Sequence, residues 1–492
     1  MAKTLRIFPL PFLLLPLFFV LHGWKEHYYY IHFRDMGILM LTYLSAALVI
    51  FGLCLWVFKN KVKAGVYTFI LLATYFFFGA IQDFLKNYTF TKEFSRYQYI
   101  LPIIFLLLLF SFFWLKKNKK TLARLNYFLS LLMLLFILVD LVLLISLPAE
   151  KKQKIAANGF TSQTTACTTC SHPDIYFLLF DEYAASSTLK QSWNYDNSQF
   201  DTALTKRGFH LISGSRSNYN FTPFSMASIL NMSYLGGIKD VHACSIEDYA
   251  MCNDLIRNNG VTGYLMNNGY KIVNYSVFDL EGEPSMVNQS FLPLKARLIT
   301  EQTLFSRLKK DLGHMLFVGK FRIKWFSDRL VYQNLHNNNL FLRKVKEEAG
   351  KKKEKPEFIY AHFYLPHPPY YFDSSGKEVD PQSLRKETAP QYLQYITYTN
   401  RQILQMTDSI LKNSASPPVI IIMGDHGFRM SNDSTNPSGF FSNMNAVYLP
   451  DKKYSGFYDS LSGVNQFRVL FNTLFNQSIP LLKDSTILLK DQ

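Results

Sequence analysis

Before residue 148 the chain holds five long apolar runs, at roughly 7–22, 36–58, 64–85, 97–115 and 122–147, and no other feature limits its fold as strongly. A helix of close to twenty apolar residues matches a hydrocarbon layer about 30 Å thick, so the runs read as membrane spans. Four are long enough to cross outright. The first is short and carries Pro9, Pro11 and Pro16. Lys3 and Arg6 precede it as in a signal peptide, but "HGWKEHYYY" follows, with no small-residue cleavage site. It therefore reads as a retained span whose Trp and Tyr suit a membrane interface.

Charge in the loops orients these spans. The N-terminus, "KNKVK" (59–63) and "KKNKKTLAR" (116–124) together hold ten basic residues and no acid, whereas 23–35 and 86–96 hold five basic and three acidic residues. That bias puts the N-terminus in the cytoplasm. Five crossings then put everything after residue 148 outside. The expected division is a five-helix transmembrane domain over 1–147, a polar linker over 148–170 and an extracytoplasmic domain over 171–492. Asp140, near the outer end of the last span, either faces a lipid or helix partner or snorkels to the interface.

The net charge of +16 comes in large part from the inner loops and from "RKVKEEAGKKKEKPEF" (343–358), which reads as an exposed helix end and turn. A solvated face, or attraction to anionic headgroups, explains it; a nucleic-acid partner does not suit a domain on that side of a membrane. Of five cysteines, Cys54 lies in a span, and Cys167, Cys170, Cys244 and Cys252 lie outside. An even number in an oxidising place reads first as two local disulfides, with a zinc knuckle as the alternative.

The external part alternates. "DIYFLLF" (174–180), "YKIVNYSVF" (270–278), "FIYAHFY" (358–364) and "VIIIM" (419–423) are strand-like; 222–230 and most of 302–348 read as helix, and 200–213 as helix then strand. Strands that are apolar throughout, alternating with helices, predict an α/β domain whose central sheet is covered by helices on both faces. In such sheets ligands gather beyond the carboxyl ends of the strands. Three of these strands end in Asp181-Glu182, in "HFYLPHPPY" with His362 and His367, and in Asp425-His426.

A carboxylate beside a neutral imidazole is half a shell for Zn²⁺ or Mn²⁺. The plainer alternative is a turn in which Asp425 bonds its own backbone. Gly424 and Gly427 are read as letting that turn bend sharply. Asp181 supplies a third ligand from a neighbouring strand end, with Glu182 its competitor. Thr222, before Pro223 in "NFTPFSMASIL", reads as a helix N-cap with its hydroxyl at a positive helix end, the place for a metal-activated nucleophile. Ser225 is the fallback. Arg429 is placed to neutralise a phosphate, or is a surface arginine.

The order "DIYFLLFDE", a helix–strand unit, a Thr or Ser opening a helix, and "GDHG" resembles the alkaline phosphatase superfamily. In its sulfatase-like branch a strand-end acid, the nucleophile and a late Asp-His pair hold one divalent metal. Here that implies an alkaline phosphatase-like α/β domain with Asp181, Thr222, Asp425 and His426 as ligands. The chain lacks the Cys-x-Pro-Ser-Arg or Ser-x-Pro-Ser-Arg needed to make formylglycine, which argues against sulfate-ester hydrolysis. With a threonine nucleophile and five N-terminal spans it is similar to membrane-bound phosphoethanolamine and phosphoglycerol transferases, and to lipoteichoic acid synthase in layout. The resemblance implies a multi-pass protein of the bacterial cytoplasmic (inner) membrane with a periplasmic or otherwise extracytoplasmic catalytic domain. Its donor would be a membrane phospholipid and its acceptor an envelope glycolipid or glycan. His367 and, less strongly, His362 would sit near the phosphate or a second metal. A hydrolase using the same site and a non-catalytic lipid-binding regulator stay open as alternatives.

Overall fold

A computed structural model describes residues 9–28, 30–146, 167, 169–287, 296–313, 331–380, 384, 388–429 and 437–490. The chain divides into two units: residues 1–151 with 290–323, and 152–289 with 324–492. The expected linker lies almost wholly outside the described residues, as does 314–330 of the expected helical stretch.

In the N-terminal part of the first unit the helices are α1 (Pro11–Glu26), α2 (Phe33–Phe58), α3 (Lys61–Phe76), α4 (Phe78–Asn87), α5 (Tyr97–Lys117) and α6 (Ala123–Ile145). Three of these, α2, α5 and α6, are long and apolar enough to cross a membrane, and they suit a membrane anchor. The run at 64–85 is divided between α3 and α4, which meet at 55°. At that break the Gly79 amide donates to the Gln302 carbonyl at 2.8 Å. A Cβ on Gly79 would stand 2.9 Å from Gln302 Cα, so only glycine admits the crossing chain. The crossing segment is fastened by polar pairs: the Arg307 guanidinium holds both carboxylate oxygens of Asp83, at 3.0 and 2.5 Å, and the Tyr97 hydroxyl donates to Asp311 at 2.6 Å.

Asp140 has a helix partner. It is buried on α6 and accepts from Lys25 Nζ of α1 at 2.8 Å, with His22 Nδ1 at 3.0 Å. Removing one member of a buried pair strands the other's charge. We expect Asp140→Ala to lower unfolding stability in detergent by about 3 kcal/mol, with the Asp140→Leu/Lys25→Met double variant recovering most of it.

The second unit is built on a six-stranded mixed sheet. Its strands are β1 (Ile175–Phe180), β2 (His210–Leu211), β3 (Lys271–Tyr275), β4 (Glu357–Phe363), β5 (Val419–Gly424) and β6 (Asn445–Tyr448), in the order β2-β6-β5-β1-β4-β3. The pairs β1–β4, β1–β5 and β3–β4 are parallel, whereas β6 runs antiparallel to β5 and to β2. Every residue of β1, β4 and β5 is buried, because both faces are covered. Tyr176, Leu178, Phe180, Ala361 and Phe363 join a core with the helices at Gln333–Ala349 and Ala389–Asn413. On the opposite face Phe177 packs edge-on against Phe467 of the helix at Gly463–Leu474, ring centroids 5.1 Å apart.

Only one of the two expected disulfides forms. Cys167 and Cys170 are bridged; Cys244 and Cys252 are not. Ser245 caps the helix Ile246–Arg257 through a reciprocal bond with Asp248, so Cys244 lies just before its start and Cys252 two turns in.

Candidate metal and nucleophile site

Register places the chemistry. Phe180 pairs with Phe363 on one side and Gly424 on the other, so β4, β1 and β5 end level with one another. Leu179, His362 and Met423 share the row before. Asp181 and Asp425 therefore emerge from adjacent strand ends. His362, one residue inside β4, alternates with Ala361 and Phe363 and so faces away from the core that those two enter.

Asp181, His362 and Asp425 are fully or almost fully buried, and one ligand atom of each lies within 4.8 Å of the others. Asp181 Oδ1, Asp425 Oδ2 and His362 Nε2 have no hydrogen-bond partner. His362 Nε2 is 3.8 Å from Asp181 Oδ2; His426 Nε2 is 3.7 Å from Asp181 Oδ1 and 3.4 Å from Asp425 Oδ2. These separations exceed hydrogen-bond length. Ligands held about 2.1 Å from a tetrahedral zinc stand about 3.4 Å apart, so the spacing fits groups that share one ion. Three buried, unpartnered acceptor atoms are costly in themselves, and a divalent cation satisfies all three.

Neighbouring groups hold the ligands in place. Asp425 Oδ1 accepts from the backbone amides of Glu182 and His426, each at 2.9 Å, which leaves Oδ2 to face the cluster. His426 Nδ1 donates to the Gly427 carbonyl at 2.7 Å, so Nε2 carries the lone pair. The Tyr360 hydroxyl is 3.2 Å from His362 Nδ1, and a ligating His362 would keep its proton there. Burial of Asp181 works to raise its pKa, but the fields of the His367, His362 and His426 imidazoles outweigh it and hold the carboxyl well below its ordinary value. For His367 burial works downward, and the Asp181 and Glu182 carboxylates outweigh it, leaving the imidazole above its usual pKa.

Thr222 meets this cluster. Its Oγ1 lies 3.3 Å from His426 Nε2. It is not the N-cap: after α7 (Ser186–Trp193) and α8 (Ser198–Lys206), the helix α9 (Thr222–Asn231) has Phe221 at its N-cap position and Thr222 as its first residue. Freed from capping, the hydroxyl sits at the positive helix end and meets the imidazole. Ser225, the fallback, donates to the Asp425 carbonyl at 2.5 Å and ties α9 to the Asp425–His426 turn.

Glu182 is turned from the cluster. It takes φ of +64°, and its Oε1 accepts from the Arg429 amide at 3.0 Å, with Arg429 Nε at 3.6 Å. Arg429 also lies over the Phe221 ring, 5.4 Å from its centroid, so it stands beside the residue that precedes Thr222. His367 donates Nδ1–H to the Pro368 carbonyl at 2.7 Å, which leaves Nε2 for a ligand.

The two glycines of the turn are required by close packing rather than by a left-handed backbone, since neither has positive φ. A Cβ on Gly427 would lie 2.0 Å from the Gly439 carbonyl oxygen and 2.6 Å from that of Ser442. Gly427→Ala should therefore cost about 2–3 kcal/mol in thermal unfolding and lower bound-metal content by displacing the Asp425–His426 turn.

Residues 282–467 match the family model described as Sulfatase; this segment includes His362, His367, Asp425, His426 and Arg429, while Asp181 and Thr222 precede it. No curated protein matches the chain. Among solved structures, the zinc complex of the C-terminal periplasmic domain of EcEptC from Escherichia coli is 10% identical, covering 66% of this chain and 91% of that one with a TM-score of 0.39. The C-terminal periplasmic domain of phosphoethanolamine transferase EptC from Campylobacter jejuni is 12% identical over 64% and 94%, with a TM-score of 0.36. The phosphonate monoester hydrolase of Agrobacterium radiobacter is 13% identical over 61% and 73%, with a TM-score of 0.37.

Proposed function

We propose that this chain, which carries a sulfatase-family domain in its C-terminal half, is a metal-dependent phosphotransferase that works through a covalent link to Thr222. The donor is a membrane phospholipid with a phosphoethanolamine or phosphoglycerol headgroup, and the acceptor is a hydroxyl of an envelope glycolipid or glycan. One observation carries the reading: a helix-end hydroxyl stands 3.3 Å from an imidazole lone pair, beside three buried, unpartnered ligand atoms. A binding protein has no use for such a hydroxyl. The positive bias of the inner loops supports a cytoplasmic N-terminus and a catalytic domain on the other side of the membrane.

Asp181, His362 and Asp425 would hold the ion, Zn²⁺ or Mn²⁺, with His426 and Thr222 alongside. Such an ion lowers the pKa of an adjacent hydroxyl and offsets charge on phosphoryl oxygens. Thr222 Oγ1 attacks the phosphorus, and His426 Nε2 receives the hydroxyl proton. The bond from phosphorus to the diacylglycerol oxygen breaks; His367 supplies the proton to that oxygen, and Thr222 retains the headgroup phosphate. The α9 N-terminus and Arg429 stabilise charge on the non-bridging oxygens. In the second step an acceptor hydroxyl attacks the phosphothreonine, loses its proton to His367, and displaces the Thr222 oxygen, which regains its proton from His426.

Intact-mass analysis of the detergent-solubilised protein with phosphatidylethanolamine or phosphatidylglycerol micelles tests this. A headgroup-phosphate adduct mapped to Thr222 is the expected result. Diacylglycerol release with water as the only acceptor would make it a hydrolase, and metal binding without adduct or turnover would make it a regulator.

A further inference from the structure

Beside the catalytic turn lies a cavity of about 740 Å³ that no step above uses. None of Asp181, Thr222, His362, Asp425 or His426 lines it. Its size suits a small organic ligand, and its lining narrows the class. α7 contributes Ser187, Thr188 and Trp193 to the lining, Ser442 and Phe428 adjoin them, and Arg216 supplies the one charge among the described lining residues.

Each feature excludes something. Among the described residues no carboxylate lines the cavity, so neither a divalent cation nor an amine has a counter-charge among them. A single guanidinium is too little for a polyanion. Hydroxyl groups along the wall would be left unpaired by an acyl chain. What remains is a ligand that is itself rich in hydroxyls. Serine and threonine hydroxyls both donate and accept, as sugar hydroxyls do, and two of them already pair side by side on the lining, Thr188 Oγ1 donating to Ser442 Oγ at 2.8 Å. Trp193 supplies a flat apolar face against which the C–H side of a pyranose packs. It is braced edge-on by Phe428, centroids 5.1 Å apart at 81°, and by Tyr392 at 5.9 Å.

The cavity shares a wall with the transfer site. Phe428 is two residues past His426, and Gly427 donates its amide to the Phe440 carbonyl at 2.8 Å, with Gly439 and Ser442 packed on its Cα. Arg216 pairs in a backbone bridge with Ser442 and lies on the segment that leads into Thr222. We infer that this cavity binds a sugar ring and so anchors the glycan acceptor next to the phosphothreonine. The acceptor role rests on the proposed transfer reaction; sugar binding does not.

Saturation-transfer NMR on the full chain in detergent, with glucose, N-acetylglucosamine and glucosamine as probes, tests it. At least one sugar is expected to bind, with affinity lowered tenfold or more by Trp193→Ala and by Arg216→Ala and unchanged by Thr222→Ala. Arg216 is exposed, so its variant decides the matter if Trp193→Ala fails to fold. In turnover, both variants should raise the acceptor KM tenfold while the Thr222 adduct forms at the wild-type rate. Binding of none of the sugars, or binding indifferent to both variants, overturns the inference even if the adduct forms. Sugar binding lost in the variants, with no adduct on Thr222, sinks the transfer reaction and leaves the cavity's assignment standing.

Discussion

Thr222→Ala is expected to reduce turnover of a phosphodiester substrate by about 10⁴-fold, the order of loss when a covalent nucleophile is removed, with no change in bound metal per chain. The distinction follows from geometry. Asp181, His362 and Asp425 form their cluster without the threonine, whereas the hydroxyl is the one group that pairs with His426 Nε2 from α9. Thr222→Ser keeps the hydroxyl at the helix end and should stay within roughly tenfold of wild type, the methyl group contributing only packing. Ser225 cannot stand in, because it is buried and its proton is committed to the Asp425 carbonyl. Turnover at the wild-type level in Thr222→Ala would remove the covalent step.

The second large effect belongs to the cluster itself. Asp181→Asn or His362→Ala should weaken divalent-ion binding by at least about 100-fold, beyond the loss seen when only a supporting group is removed. Elemental analysis of purified protein reads this directly. It should also uncouple stability from chelation. A ligand that binds only the folded state adds about 2.7 kcal/mol at a hundredfold excess over its Kd, so EDTA should lower the thermal midpoint of the wild type and leave that of Asp181→Asn unmoved. A wild-type midpoint indifferent to EDTA, with no ion detected, would mean that the three unpartnered atoms serve something other than a metal.

Much of this site is legible in residue order. Strands that are apolar at every position end where a sheet's ligands gather, so Asp181, Asp425 and His426 stand out by following such runs. His362 is harder. A histidine inside a strand reads as a substrate contact or as a buried sheet residue, and it is the alternation with Ala361 and Phe363 that turns it toward Asp181. The N-cap expected at Thr222 falls one residue early because Pro223 can occupy either of the first two helical positions, and the structure puts it at the second. Other features have no local signature. The helix Ala389–Asn413 buries Thr399, Asn400 and Thr407 along with its apolar stripe, which blurs the period. β6, only four residues long, gets its place from antiparallel pairing with β5. The 55° break between α3 and α4 is set by a segment more than two hundred residues away, through Gln302, and no window of sequence carries that information.

That same segment decides how the molecule can be dissected. Residues 290–323 leave the α/β part of the chain to complete the first unit, where Leu298 and Ile299 are buried and Arg307 clasps Asp83. A soluble version begun at residue 152 would carry this excursion stripped of its partners, displaying greasy side chains and an unanswered guanidinium to water. Splicing it out with a short polar bridge, rather than simply trimming the N-terminus, is the way to a well-behaved secreted fragment.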